Sequence, residues 1–206
     1  MEFHFWVFSV KEHTFYICFI SFSLDRAGGP KHVDFGGVVA LIEAVKQLKT
    51  EGELVPKIVL ISSLGVTRPY WPIYIMLNTL GGRVMHYKLK GEDALRAAGS
   101  EIDYTIIRPG RLVPSDKNPQ LKDSELVADQ GDKITGQILR EDVVRVALHT
   151  AINRESGNKC TFELISAQSG SETKEEHRQN VENAPCKSKD PVSLVSNLKT
   201  DLQLIK

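Results

Sequence analysis

The stretch HYKLKGEDALRAAGSEIDYTIIRPGRL, residues 86–112, joins a helix to a strand. With Val84 and Met85 in front, its first half reads as an amphipathic helix, and Lys88 and Glu92 lie one turn apart on it. Its second half holds a run of apolar and β-branched residues at 103–108, ended by Pro109 and Gly110. Such a run is expected of a strand buried on both faces. A helix leading into a strand of that kind is the repeating unit of an α/β sheet.

The alternation continues in both directions. KIVLIS (57–62) is another short apolar run. Before it, Val38, Leu41, Ile42, Val45 and Leu48 recur at helical spacing, with Asp34 as candidate N-cap and Gly52 near the C-terminal end. TFYICFIS (14–21) is rich in aromatic and β-branched residues and reads as a buried strand. SLDRAGGPKH (23–32) reads as a loop. DKITGQILRED predicts a short strand leading into a helix from about Asp142 to Ile152, with Asp142 suited to the helix N-terminus. KCTFELIS (159–166) is a last strand. Together these predict an α/β fold with a doubly wound parallel sheet.

Between them, SLGVTRPYWPIYIMLNTLGGR is a long loop or a helix broken by Pro69 and Pro72. Its aromatic part is expected to be buried against the sheet; cover for a substrate site or a partner contact is the alternative. Residues 167–190 are polar and charged and are expected to be disordered. In 191–206, Leu194, Val195, Leu198, Leu202 and Ile205 fall near one helical face, giving either a docking helix or a frayed tail. The chain divides into an aromatic-rich segment (1–32), a domain (33–166) and a polar tail (167–206).

Composition narrows the function. Lys+Arg and Asp+Glu both total 26 in 206 residues, a neutral balance that argues against nucleic acid as a partner. The three cysteines are far apart and odd in number, so neither a disulfide framework nor a zinc spacing is expected. His86 and His149 have no companions at ligand spacing, and no metal is expected. A reducing intracellular compartment, cytoplasm or organelle stroma, follows. The first 22 residues raise the question of a membrane, because they hold 8 of the 15 aromatic residues. Lys11, Glu12 and His13 interrupt them, and Thr14–Leu24 falls short of the about 20 residues a spanning helix needs. A buried strand is the preferred reading.

Four pieces in order, VDFGGVVALIEAVK, KIVLISSLGVTRP, HYKLKGEDALRAAGSEIDYTIIRPGRL and GDKITGQILREDVVRVAL, resemble the atypical short-chain dehydrogenase/reductase family, in particular its NmrA-like, NAD(P)-binding branch. The resemblance runs from about Val33 to Ser166. It implies a Rossmann-like sheet with NAD(P), NADP ahead of NAD, across the carboxyl ends of the strands. Ser62 and Ser63 would lie beside the nicotinamide ribose, or serve only as strand-end caps. Lys88 would hydrogen-bond the ribose hydroxyls, and Pro109, Gly110, Arg111 and Leu112 would edge the nicotinamide. Glu92 is expected to be the i,i+4 partner of Lys88. Arg108 is expected either near cofactor phosphate or substrate, or as a brace.

Two departures from the family pattern qualify the function. Catalytic members carry a tyrosine four residues before the lysine, as proton donor, and a serine after the Ser-Ser pair. Here those places are Val84 and Leu64; Tyr87, next to Lys88, points about 100° away on a helix. The family also opens with a strand and a G-x-x-G-x-x-G turn that cradles the pyrophosphate, and this sequence has no such motif. The chain therefore reads as N-terminally truncated, with the edge of its sheet bare and open to a partner or a second copy. The expected function is an NAD(P)-binding oxidoreductase-like protein acting on a small molecule. The alternatives are a non-catalytic dinucleotide-sensing or protein-docking module, or a remnant without cofactor binding.

Overall fold

The computed structural model describes residues 5–10, 13–19, 29–52, 57–170 and 183–204. Its strands are β1 (Phe5–Val10), β2 (His13–Phe19), β3 (Lys57–Ile61), β4 (Tyr104–Pro109), β5 (Arg111–Val113), β6 (Leu126–Asp129), β7 (Gln137–Leu139), β8 (Cys160–Ser166) and β9 (Cys186–Ser188). Its helices are α1 (Val38–Thr50), α2 (Pro72–Leu80), α3 (Val84–Ala97), α4 (Arg140–Ile152), α5 (Pro191–Ser196) and α6 (Asp201–Leu204). A π-helical segment, Lys31–Gly37, runs directly into α1.

One sheet has the order β1-β2-β3-β4-β8-β6-β9. Its centre, β2 to β8, is parallel, and β1, β6 and β9 are antiparallel additions. The Rossmann-like reading holds, with antiparallel strands at both margins. β5 and β7 form a small parallel ladder of their own. The continuous apolar runs follow from helices on both faces. On one face Ile58, Leu60, Tyr104 and Ile106 meet Val38, Leu41, Ile42 and Val45 of α1 and Leu95 of α3. On the other, Val59, Ile61, Ile107, Phe162 and Leu164 meet Val143, Val146 and Ala147 of α4.

Several expectations change. Asp34 does not cap a helix: it is buried inside the π-helical segment, and no side-chain cap bond forms there. Gly52 does end α1, at φ 78° with its amide on the Lys49 carbonyl. The bare edge expected beside β2 is covered, because β1 turns back and pairs along it from Phe5↔Cys18 to Val10↔His13. The aromatic stretch does form a broken helix, but α2 buries none of its residues; Tyr70, Ile73, Ile75, Met76 and Leu80 are exposed. Trp71 turns inward beside Leu64, and Tyr74 and Leu77 pack partly buried against Val66, Val84 and Met85.

The tail is better ordered than its polarity suggested. β9 pairs with β6, and Leu194 and Val195 of α5 join the core under α4. Burying these two apolar side chains helps to dock the tail, while Leu202 stays exposed. The rest of the segment expected to be disordered, 171–182, lies outside the described residues. Among the described residues no helix is long and apolar enough to cross a membrane.

Candidate functional site

The carboxyl ends of the parallel neighbours β3 and β4 lie side by side, and α3 packs by Leu95 on one face of their sheet. At the exit of β3, the Ser62 amide donates to the Ile107 carbonyl at 2.8 Å, extending the ladder by one residue. Its hydroxyl is buried and has no hydrogen-bond partner among the described residues. Ser63 Oγ donates to the Leu64 carbonyl at 3.2 Å. Leu64 N and Gly65 N are both taken, by the Pro109 carbonyl at 3.1 Å and by Asp132 Oδ1 at 2.8 Å. The loop is therefore pinned at Ser62 by the ladder and again just after the two serines.

At the exit of β4, Gly110 N donates to the Leu164 carbonyl and Arg111 N to the Gly136 carbonyl, each at 2.9 Å. Gly110 is required here, since a Cβ would collide with the Gly136 carbonyl oxygen. With both amides consumed, Arg111 and Leu112 offer the site exposed side chains.

Lys88 Nζ donates to Asp34 Oδ1 at 2.8 Å, and both side chains are largely buried. Burial raises the Asp34 carboxyl above its usual range, and the Lys88 charge opposes that rise. The pair is possible because the π-helical segment packs directly on α3; a Cβ at Gly91 would strike the Asp34 carbonyl oxygen. An ammonium has three donors, and the Asp34 contact uses one.

Glu92 is not the partner of Lys88. It is fully buried toward the sheet, where Arg108 Nη2 and Nε reach its carboxylate at 2.6 and 3.1 Å and Arg96 Nη2 at 2.6 Å. A carboxylate out of water needs such charged partners, and Lys88 is turned instead to Asp34. Arg108 is thus a brace: its Nη1 also donates to Glu163 Oε1 at 3.3 Å. Glu163 is buried, with Oε2 lacking a partner among the described residues. Burial lifts its carboxyl to about 7 against the pull of Arg108. Asp142 sits in the first turn of α4 as expected, bonded by Arg145 at 2.8 Å.

Val84 and Leu64, at the places of the family's proton donor and assisting serine, are buried apolar residues. His86 lies edge-on to Tyr87 and His149 bonds Ser156, and among the described residues no cluster of His, Cys, Asp or Glu could hold a metal. Sequence reasoning missed Asp132 and Glu163 as members of this site, and gave Asp34 the wrong role. The one available signal was the Gly131-Asp132 pair, a turn signature.

The residues present suit one end of a dinucleotide. The Ser62 hydroxyl at the end of β3 is buried with no partner among the described residues, and the Lys88 ammonium is held by Asp34, whereas the Gly-rich pyrophosphate turn is absent from the sequence.

A family model described as NAD(P)H-binding matches residues 13–154, from the start of β2 to just beyond α4. No curated protein matches the chain in sequence. Solved structures share its fold. A Bacillus halodurans protein assigned to the NAD-dependent epimerases/dehydratases superposes with TM-score 0.53 at 20% identity, over 81% of this chain and 67% of that one. The oxidoreductase ylbE of Lactococcus lactis gives 0.53 at 19% identity, over 81% and 65%. A short-chain dehydrogenase/reductase superfamily protein of Agrobacterium tumefaciens, with bound NAD, gives 0.50 at 13% identity, over 74% and 60%. This chain spans about two thirds or less of each of these proteins.

Proposed function

The chain belongs to the NAD(P)H-binding family, and on that premise we propose that it binds NAD(P) across the carboxyl ends of β3 and β4 as an oxidoreductase-like protein with a small-molecule substrate. The observation that carries this reading is the Ser62 hydroxyl, buried at the end of a parallel strand with no partner among the described residues. Ligands of open parallel sheets bind at such strand ends. Ser62 and Ser63 lie beside the nicotinamide ribose in this reading. Lys88, held by Asp34, offers its remaining donors to the ribose hydroxyls. Pro109, Gly110, Arg111 and Leu112 edge the nicotinamide.

When bound, the cofactor would supply or accept a hydride. The chain's own part is to bind and orient it. Neither Val84 nor Leu64 can carry a proton to a carbonyl, so this site performs no proton donation of the family's tyrosine type. That absence favours a second reading, a non-catalytic module that senses the dinucleotide. Turnover of a carbonyl or quinone substrate, lost in Lys88→Ala, would exclude the second reading.

A reducing compartment accords with the buried free thiols of Cys160 and Cys186. The sheet edge expected to join two copies is covered by β1; the companion proposal is therefore association along β1, the strand at that margin of the sheet. The binding reading is tested by titrating NADPH and NADH into the purified full chain and following nicotinamide fluorescence. Saturable binding is expected; its absence at millimolar cofactor would sink the reading.

A further inference from the structure

We propose that Asp132 is the positioning residue of this site, its carboxylate holding the β3 exit loop so that Ser62 and Ser63 stand ready for the cofactor. The proposal rests on the reading above and adds a residue to it.

Asp132 lies between β6 and β7, far along the chain from the loop it holds. Its Oδ1 accepts the Gly65 amide at 2.8 Å. Its Oδ2 accepts the Thr67 amide at 3.1 Å and the Thr67 hydroxyl at 2.7 Å. The Arg68 guanidinium stands 3.5 Å from Oδ1 and also donates to the Ile134 carbonyl at 2.9 Å. Past the end of a strand, backbone amides lose their ladder partners and must find others. Here a single carboxylate serves two of them. A carboxylate suits the task because it only accepts, at about four lone-pair positions. An amide in its place would turn an N–H toward one of these donors.

The backbone around Asp132 is shaped for this contact. Gly131 has φ 98° and Asp132 has φ 58°, two left-handed residues in succession. Left-handed geometry at a non-glycine residue is a local strain that persists where surrounding contacts compel it. Gly65, the first residue held, is itself at φ 85° with the Trp71 ring against it. Asp132 is nearly fully buried, so these bonds face little competition from water.

The same residue also reaches the other half of the site. Its backbone amide acts on the Glu163 carboxyl, opposing the rise that burial imposes there; Glu163 receives Arg108, which grips Glu92 on α3 one turn from Lys88. The serine loop and the lysine helix thus hang on one buried polar frame, and Asp132 is where the loop joins it. Sites need a supporting shell of this kind to hold their contacts in place.

The test uses the full chain with Asp132→Asn and the milder Thr67→Val. Amide hydrogen exchange in residues 62–68, without cofactor, should rise at least about tenfold in Asp132→Asn, with β4 and β8 unchanged. Thr67→Val should show a smaller rise in the same segment, and it decides the matter if Asp132→Asn does not fold. NADPH should bind at least about fivefold more weakly to Asp132→Asn, and Asp132→Asn should add less than about twofold in a Ser62→Ala/Ser63→Ala background. Unchanged exchange in 62–68, or an equal rise in β4 and β8, overturns the proposal whether or not NADPH binds. So does an undiminished loss of affinity in the serine-free background. Failure of the unaltered chain to bind NADPH instead refutes the cofactor reading, leaving the exchange result to judge Asp132.

Discussion

Arg108 of β4 clasps Glu92 of α3 with two hydrogen bonds, Nη2 to Oε2 at 2.6 Å and Nε to Oε1 at 3.1 Å, with both groups out of solvent. The clasp fixes the height and rotation of α3 on the sheet, and so the place of Lys88 one turn away. Breaking one side of a buried pair strands the other charge. Glu92→Ala should therefore cost about 3–5 kcal/mol in urea denaturation. Glu92→Ala combined with Arg108→Met should recover part of that loss. A cost under about 1 kcal/mol would mean that the clasp does not set the helix.

The sequence already carried the frame around this clasp. Strands 57–62, 103–108 and 159–166 announced themselves as unbroken apolar runs, because helices cover both faces. What the sequence hid were partners across long separations. Glu92 has Lys88 four residues away, yet its true partner Arg108 comes from the next strand, and periodicity carries no record of which side of a helix will meet a cation. Asp34 looked like a cap because it precedes a helix, but the helix simply begins earlier as a π-turn. The tail's order depends on a few buried contacts in a polar context, which composition averages away.

Gly91 should resist substitution although it lies within a helix. Alanine normally stabilises a helix relative to glycine by about 1 kcal/mol. Here its Cβ would meet the Asp34 carbonyl oxygen, so Gly91→Ala should destabilise by about 1–3 kcal/mol. The sign of the change in melting temperature decides: a rise would mean that α3 and the π-helical segment are not in contact.

Glu163 predicts a pH effect. Its carboxyl is raised from 4.5 to about 7 by burial, with Arg108 opposing. A folded-state value above the unfolded one favours the protonated form, so its contribution to stability is complete below about 4.5 and lost as pH rises through about 7. Glu163→Gln stays neutral. It should match the original chain near pH 5 and exceed it at pH 8 by a margin on the order of 1–3 kcal/mol. Denaturation curves at the two pH values check this, and a margin that does not grow with pH would rule it out.

Asp201 should anchor the tail. It accepts the Tyr104 hydroxyl, the Thr161 amide and the Thr161 hydroxyl, each at 2.8 Å. Asp201→Ala leaves those donors unpaired, a loss of about 1–3 kcal/mol. Limited proteolysis should then cut earlier within 183–204 than within β8. An unchanged cleavage pattern would show that α5 alone docks the tail.

The central claim is a dinucleotide site in which Lys88 makes a principal contact, and ligand-induced stabilisation measures it most directly. A ligand that binds only the folded chain raises stability by about 2.7 kcal/mol at one hundred times its dissociation constant. Thermal melts of the full chain and of Lys88→Met should be recorded with and without NADPH, comparing shifts rather than absolute midpoints, since Lys88→Met also strands Asp34. The account predicts an upward shift in the unaltered chain and little or none in Lys88→Met. No shift in the unaltered chain at millimolar NADPH or NADH, or an equal shift in both proteins, would contradict it.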